Sequence, residues 1–278
     1  MNKLSSDELK QVELSVLIQL DKICKEQNLR YWLTAGTLLG AIRHKGFIPW
    51  DDDIDIMMPR KDYTNLIRYC KTHKTQFDLL AHEIHDNYFV LFAKACDTNT
   101  IVHDFTTRSG SCATGVWVDI IPVDGLGNDF NQAEKVFKET RFRHYLLVAS
   151  IWKKFFRSKS RSIIYEPIRF FFYIVGKILD KRKAITYIEK QCLKNDFDES
   201  LYCGCLCGSY GVFDRSILDE TIEVEFEGRL FRVMKEYDQL LKYLYGDYMK
   251  LPPLDKQKTH HDFEAFWKDK AMRNEVNT

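Results

Sequence analysis

Four carboxylates fall within five residues of the segment Trp50-Asp51-Asp52-Asp53-Ile54-Asp55-Ile56. On a strand, side chains at i and i+2 share a face. Asp53 and Asp55, with Asp51 at the start, are therefore expected to project together while Ile54 and Ile56 enter the core. Carboxylates a few ångström apart repel strongly unless a cation lies between them. Hard divalent ions such as Mg²⁺ take oxygen ligands in this fashion, usually along with a substrate phosphate, and Mn²⁺ accepts the same ligand types. The flanking Trp, Ile and Met residues argue against a solvated acidic turn. An EF-hand is excluded, because the loop lacks the glycine and distal glutamate at the required spacing.

Other residues suit a nucleotide beside such a metal. Gly36-Thr37 lies between a short strand and a helix start, where outward backbone N–H groups favour phosphate. Asp119 has an apolar neighbour on either side in Val118-Asp119-Ile120, as a carboxylate on a buried strand would. A glycine and hydroxyl residue, a short helix, an acidic strand and a later strand aspartate together make the layout of the nucleotidyltransferase fold. Arg43, His44 and Lys45 follow the Gly-Thr helix and can supply charge to a leaving phosphate, or form a plain surface cluster. Lys94 sits among apolar strand neighbours, where an amine wants an anion. Trp50 is a candidate wall for a quaternary ammonium, together with Trp32 and Trp117, though core packing suits each equally.

The elements that must position these residues follow from capping and periodicity. Ser5-x-x-Glu8 is a capping box, and Leu9, Val12, Val16, Leu20 and Ile23 repeat at helical spacing, so a helix is expected over 6 to about 27. Tyr31–Ala35 reads as a strand, Thr37–Ile42 as a helix ended by Gly46 and Pro49, and Ile54–Ile56 as a strand. Residues 60–72 read as a helix; 77–80, 88–95 and 115–121 read as strands, the last stopped by Pro122. Residues 130 to about 195 are helix-compatible throughout. Thr221–Phe226 and Arg229–Val233 flank Glu227-Gly228 as a hairpin, and a last helix is expected around Met234–Leu244. The fold class is α+β, a small mixed sheet with flanking helices carrying a helical insertion. One domain over 1–278 is expected, with a nucleotidyltransferase core at 1–128, a basic aromatic insertion at 129–198 and C-terminal strands and helices at 199–278.

Three stretches carry a specific resemblance. Thr34-Ala-Gly-Thr-Leu-Leu-Gly-Ala-Ile-Arg-His-Lys-Gly-Phe-Ile-Pro-Trp-Asp-Asp-Asp-Ile-Asp-Ile resembles the signature of the LicD family. Val118-Asp-Ile-Ile-Pro-Val-Asp-Gly is similar to its second block, and Tyr245-Gly-Asp-Tyr-Met-Lys-Leu-Pro-Pro followed by His260-His261 to its closing block. The resemblance implies transfer of phosphocholine from CDP-choline to a sugar hydroxyl of a glycan precursor of the teichoic acid or lipopolysaccharide type, with CMP leaving. Fukutin-related proteins, similar in this core, transfer ribitol phosphate from CDP-ribitol, so another CDP-alcohol is the alternative donor. On this reading Asp53 and Asp55 hold Mg²⁺ across the donor phosphates. Asp119 completes the site, orienting the acceptor hydroxyl or binding metal, and Asp51 is an outer ligand. A glycosyltransferase using an Asp-x-Asp motif with a UDP-sugar is the competing enzyme reading, and a metal-dependent binding module the competing non-enzyme.

Composition narrows the surroundings. The 278 residues carry 41 Lys and Arg against 40 Asp and Glu, so no global charge draws the chain to nucleic acid. Residues 141–183 nevertheless hold 12 Lys and Arg against two acids, a local +10 that leaves the remainder at −9. With Phe155, Phe156 and Phe170–Tyr173 interleaved, that segment suits peripheral contact with an anionic membrane surface near a lipid-linked acceptor. No apolar run approaches the roughly 20 residues of a membrane span, and the first ten residues lack an apolar signal core, so a cytoplasmic location is expected. Cys203-x-Cys205-x-Cys207, with Cys192, is expected to be core rather than a zinc site, because structural zinc uses paired cysteines in separated knuckles.

Overall fold

The computed structural model describes residues 1–105, 114–157, 162–207, 210–259 and 263–269. Helix α1 (Ser6–Glu26) opens on the expected capping box: the Glu8 N–H donates to Ser5 Oγ at 3.2 Å and the Ser5 N–H to Glu8 Oε2 at 2.8 Å. Its buried stripe includes Leu9, Val12, Val16, Leu17 and Leu20. Strand β1 (Trp32–Leu33) is shorter than expected, because α2 (Ala35–His44) already begins at Ala35. Ala35 has φ +49°, a left-handed conformation that costs an alanine about 1–2 kcal/mol. The strain lies between Thr34 and Gly36, where the chain turns from strand into helix.

Strand β2 (Ile54–Pro59) leads into α3 (Arg60–Thr72), followed by β3 (Phe77–Leu80), β4 (Ala93–Asp97) and β5 (Thr100–Asp104). Residues 88–92, expected to be strand, lie outside it. Strand β6 (Trp117–Gly125) runs straight through Pro122, contrary to the expected stop. Along one edge, β6 pairs with β4 up to Ile120 and with the next strand only from Asp124. The proline falls where that edge has no strand partner, so its missing N–H breaks no ladder there.

The insertion consists of α4 (Phe130–Ser150), α5 (Glu166–Lys177) and α6 (Lys181–Cys192). After it come β7 (Tyr202–Gly204), β8 (Phe213–Asp214), β9 (Thr221–Phe226), β10 (Arg229–Met234), α7 (Tyr237–Tyr245) and β11 (Phe263–Trp267). Strands β9 and β10 form the expected hairpin, with Glu227 and Gly228 both at positive φ in its turn. Strand β11 pairs with β5, an antiparallel contact that joins distant parts of the chain.

Seven of the described strands make one mixed sheet, in the order β1-β2-β6-β4-β3, with β7 and β8 continuing from β6. β2 and β6 are parallel neighbours; β4 lies antiparallel on the other side of β6. Ile54, Ile56, Val118 and Ile120 are fully buried, so the central pair of strands is covered and held in a fixed register. Cys203, Cys205 and Cys207 are all buried in this core, and the described cysteines are all free. Asp124 is likewise a core residue: Arg60 Nε and Nη2 fork onto its carboxylate at 2.6 and 3.1 Å, tying α3 to β6.

Candidate active site

Register puts the chemistry together. Asp55 on β2 lies directly opposite Asp119 on β6, and Asp119 lies opposite Lys94 on β4. Residues paired across a sheet project from the same face, so three adjacent strands present carboxylate, carboxylate and ammonium in a row. Lys94 Nζ donates to Asp119 Oδ1 at 2.7 Å and sits 3.9 Å from the centre of the Trp117 ring. The lysine expected to meet phosphate is thus already committed to a site carboxylate.

Asp55 is fixed from its backbone. Its N–H donates to Thr37 Oγ1 at 2.8 Å, and its carbonyl accepts from the Thr34 N–H at 3.1 Å. Thr37 therefore locks the strand to the start of α2. Burial, then the charges of Asp53 and Asp119, push the Asp55 carboxyl well above the usual carboxylate range; the opposing pull of Lys94 is smaller.

The other aspartates are arranged differently from the expected alternation. Strand β2 begins only at Ile54, so Asp51, Asp52 and Asp53 lie in the preceding loop rather than on a strand face. There each contributes a carboxylate oxygen within 4.8 Å of the other two. Asp52, which period-two reasoning assigned to the opposite face, belongs to this group, and Thr259 Oγ1 donates to it. Asp51 also faces the first turn of α2: a Cβ on Gly36 would lie 2.4 Å from its Oδ2. Only glycine permits that approach of a carboxylate to the positive end of the helix.

Helix α1 supplies a carboxylate that the sequence reading missed. Glu13 is 2% exposed, and its Oε2 has no hydrogen-bond partner. Burial, then the charges of Asp53, Asp52 and Asp51, raise its carboxyl well above its ordinary value. Its signal in the sequence was a lone acidic residue on the apolar face, beside Leu9, Val12, Val16 and Leu17.

Around these groups, Trp50 stands edge-on to His44, with ring centres 6.5 Å apart, and lines a cleft of about 500 Å³ with Ser5, Leu9, Pro49, Asp51 and Asp52. Burial, then the neighbouring Arg43, lower the His44 imidazole below its ordinary value. Arg43 donates to His44 Nε2 at 2.9 Å and to the Tyr248 carbonyl at 2.7 Å, which tethers α2 to the 245–250 segment. Lys45 is exposed and pairs with Glu225 of β9 at 3.6 Å instead of joining the carboxylates. Tyr245 is an unforeseen neighbour: burial, then Asp55, Asp51 and Asp53, push its phenol upward. His260 and His261 lie outside the described residues.

The donor set fits a hard divalent cation. It is all oxygen, and it concentrates negative charge in one loop, where Asp51, Asp52 and Asp53 each place a carboxylate oxygen within 4.8 Å of the other two. Loop Asp51–Asp53 and the in-register pair Asp55 and Asp119 are the residues that would hold it.

Comparison with known proteins gives the family. Residues 28–146 match the family model described as LicD/FKTN/FKRP, nucleotidyltransferase domain. The lipopolysaccharide cholinephosphotransferase LicD of Haemophilus influenzae is 35% identical over 277 residues, covering 96% of this chain and 99% of that protein. An uncharacterized protein of Rickettsia typhi is 27% identical over 173 residues, 59% of this chain and 52% of its own. Human ribitol 5-phosphate transferase FKRP is 44% identical over 43 residues, 16% of this chain and 9% of its own. With the similarity to a LicD protein running the length of both chains, the protein belongs to the LicD family.

Proposed function

We propose that the protein transfers phosphocholine from CDP-choline to a sugar hydroxyl of a surface glycan precursor, of the lipopolysaccharide or teichoic acid type, with CMP as the leaving group. The observation that carries the reading is Asp55 in register with Asp119 on parallel strands, beside the Asp51–Asp53 loop. Full-length similarity to a lipopolysaccharide cholinephosphotransferase supports choline as the alcohol. The shorter similarity to ribitol 5-phosphate transferase supports a second donor, another CDP-alcohol handled by the same machinery. The match of residues 28–146 to a nucleotidyltransferase-domain model supports a nucleotidyltransferase core.

In this reaction the acceptor oxygen forms a bond to the distal phosphorus of the donor. The bond from that phosphorus to the bridging oxygen breaks, and CMP leaves with the electron pair. Mg²⁺ or Mn²⁺ held by Asp53, Asp55 and Asp119 would supply the charge neutralisation on which phosphoryl transfer depends. Thr37 holds Asp55 to the start of α2, and Lys94 holds one oxygen of Asp119, leaving the other either to bind the metal or to orient the acceptor hydroxyl and take its proton. The α2 N-terminus, beside Asp51, favours negative charge and so the donor phosphates. Trp50 offers a π face to the choline ammonium.

The insertion supports a place for the reaction. Ile164, Ile168, Phe171, Ile174 and Ile178 follow one another at helical spacing and are 76%, 57%, 57%, 51% and 86% exposed. The other face of α5 is engaged: Arg169 is buried against Glu166 at 2.9 Å, and a Cβ on Gly176 would lie 2.8 Å from the Ser150 nitrogen of α4. An apolar stripe is therefore held outward, with exposed Lys153, Lys154, Arg157, Lys177 and Lys183 in the same basic segment. Its occupant on this reading is an anionic lipid leaflet, where apolar area and charge attraction add. No helix among the described residues is long and apolar enough to cross a membrane.

The test is a thermal shift with CDP-choline in the presence and absence of Mg²⁺, with CDP-ribitol, CDP-glycerol and UDP-sugars as comparators. A Mg²⁺-dependent rise with CDP-choline is expected. A rise with another CDP-alcohol alone would keep the chemistry and change the product, and a rise with UDP-sugars alone would replace the reading with a glycosyltransferase.

A further inference from the structure

His82 and Glu83 follow β3 in a single turn, closed by the Ile84 and His85 N–H groups, which donate to the Ala81 carbonyl at 3.0 and 2.9 Å. Helix α6 of the insertion meets this turn through one face. Arg182 and Glu189 are seven residues apart, so they share that face two turns from each other. Arg182 donates to the His82 and His85 carbonyls at 3.4 and 3.3 Å and to Asp86 Oδ1 at 3.2 Å. Glu189 reaches the His82 side chain. The imidazole, 3% exposed, is held between two carboxylates: Nε2 lies 3.4 Å from Glu83 Oε1, and Nδ1 lies 3.7 Å from Glu189 Oε1. Both distances exceed the span of about 2.7–3.2 Å usual for an N–H···O bond.

The two carboxylates lack the partners that burial demands. Glu83 Oε2 is enclosed and has no hydrogen-bond partner, and neither has the enclosed Tyr63 hydroxyl that acts on the same carboxyl. Cations stand close but are committed elsewhere. Arg60 forks onto Asp124, Arg68 donates to Asn65 Oδ1 at 3.1 Å, and Lys71 Nζ donates to the Glu83 carbonyl at 2.7 Å. Among the described residues, no lysine or arginine forms an ion pair with either carboxylate. Burial, then Arg60 and Arg182, lower the His82 imidazole to about 4, so at neutral pH it is uncharged, the form that binds a metal.

His82, Glu83 and Glu189 each offer a ligand atom within 4.8 Å of the other two. Ligand atoms about 2.0–2.2 Å from a tetrahedral ion stand roughly 3.3–3.6 Å apart, so small side-chain rotations close the three groups round one. Glu83 and Glu189 also line a cavity of about 460 Å³, from which water can supply a further ligand. One imidazole nitrogen with two carboxylate oxygens suits zinc, where an all-oxygen set suits magnesium. We propose that His82, Glu83 and Glu189 form a zinc-class cation site, whose ion pins α6 of the insertion to the turn after β3. The site shares no residue with the Asp51–Asp53 loop or with the pair Asp55 and Asp119, and it does not depend on the reaction proposed above.

The test is Zn²⁺ binding to the purified full-length chain by equilibrium dialysis, with Mg²⁺ in large excess to saturate oxygen-only sites. Wild type, Glu189→Gln, His82→Gln and Asp53→Asn are compared, with circular dichroism to check the fold. One Zn²⁺ per wild-type chain is expected, together with a melting temperature that rises with added Zn²⁺. Glu189→Gln and His82→Gln should each weaken binding by about tenfold or more and shrink that rise, while Asp53→Asn binds as wild type does. Glu189 is 37% exposed, so its variant carries the test if His82→Gln does not fold. Equal binding by wild type and Glu189→Gln overturns the site and leaves His82 a neutral bridge between two carboxylates. Binding that is lost in Asp53→Asn and kept in Glu189→Gln assigns the ion to the acidic loop and overturns the site as well. So does a wild type that binds no Zn²⁺.

Discussion

The acidic recess and the helical insertion depart from ordinary burial in opposite directions. In the recess, charged groups are enclosed: Glu13 is 2% and Asp119 9% exposed, and the strands beneath them are fully covered. On the insertion, large apolar groups are turned out, with Ile164 at 76% and Ile178 at 86%. Each costs the isolated chain stability, because carboxylates repel where water is scarce and exposed hydrocarbon is hydrated. On the function proposed above, each cost is removed by a ligand of matching character, a divalent cation with a phosphate in one case and an anionic lipid surface in the other. A chain with a net charge of +1 thus separates its charge into an acidic loop and a basic segment with an exposed apolar stripe.

The largest effect is expected where that contrast is broken at the carboxylates. Asp119→Asn and Asp55→Asn should each lower CMP release by about 10³-fold or more, as loss of a principal electrostatic group does. Without metal, Asp55→Asn should melt a few degrees higher than wild type, because it relieves repulsion from Asp53 and Asp119. Scanning calorimetry decides this: a lower melting temperature would show that Asp55 is a structural rather than a strained group.

Lys94→Met tests the same region through its counter-charge. It keeps the apolar stem against Trp117 and leaves Asp119 without its ammonium, at an expected cost of about 3 kcal/mol in urea unfolding. Mn²⁺ should restore part of that loss. Unchanged stability would mean that solvent, not Lys94, balances Asp119.

The insertion is tested by Ile168→Glu with Phe171→Glu. Sedimentation with vesicles containing phosphatidylglycerol should weaken about 10- to 100-fold, while CMP release in the absence of vesicles stays at the wild-type rate. Equal binding by the double variant would leave the outward stripe without a membrane role. A fall in both readouts would show that the two regions are not separable.

A smaller, pH-dependent effect lies between them. Burial, then Arg60 and Arg182, depress the His82 imidazole to about 4. Its folded-state value lies below its unfolded one, so its contribution is complete above about pH 6.5 and is lost as pH falls toward 4. His144, also lowered to about 4 by burial, acts in the same direction. The urea midpoint should fall between pH 7.5 and pH 5, and His82→Gln should recover about 1–2 kcal/mol of the loss at pH 5. An unchanged pH slope in the variant would assign the acid sensitivity elsewhere.

What the sequence made legible was whatever local chemistry decides. The capping box of α1, the hairpin at Glu227-Gly228 and helix α3 follow from caps, turn residues and period, and appear as expected. The sheet register does not follow from local chemistry, and the site is a matter of register. That Asp55, Asp119 and Lys94 form a row depends on pairing between strands some 25 to 64 residues apart in the chain. Pro122 misled because β6 continues through it: it stays in register with Met58 of β2, and falls between the β4 and β7 pairings on the other side. Asp52 was set aside because period two was assumed for a stretch that is still loop. Glu13 was invisible for a different reason: one acid among apolar positions reads as the edge of a helix face until the opposite element is known to be acidic.

The most direct test of the account is CMP release from CDP-choline by the purified chain with Mg²⁺ and a lipid-linked glycan acceptor, set against Asp55→Asn under identical conditions. The account predicts metal-dependent CMP release with phosphocholine appearing on the acceptor, and loss of both in the variant. Release that persists in Asp55→Asn, or that proceeds unchanged after removal of divalent ions with a chelator, would contradict it.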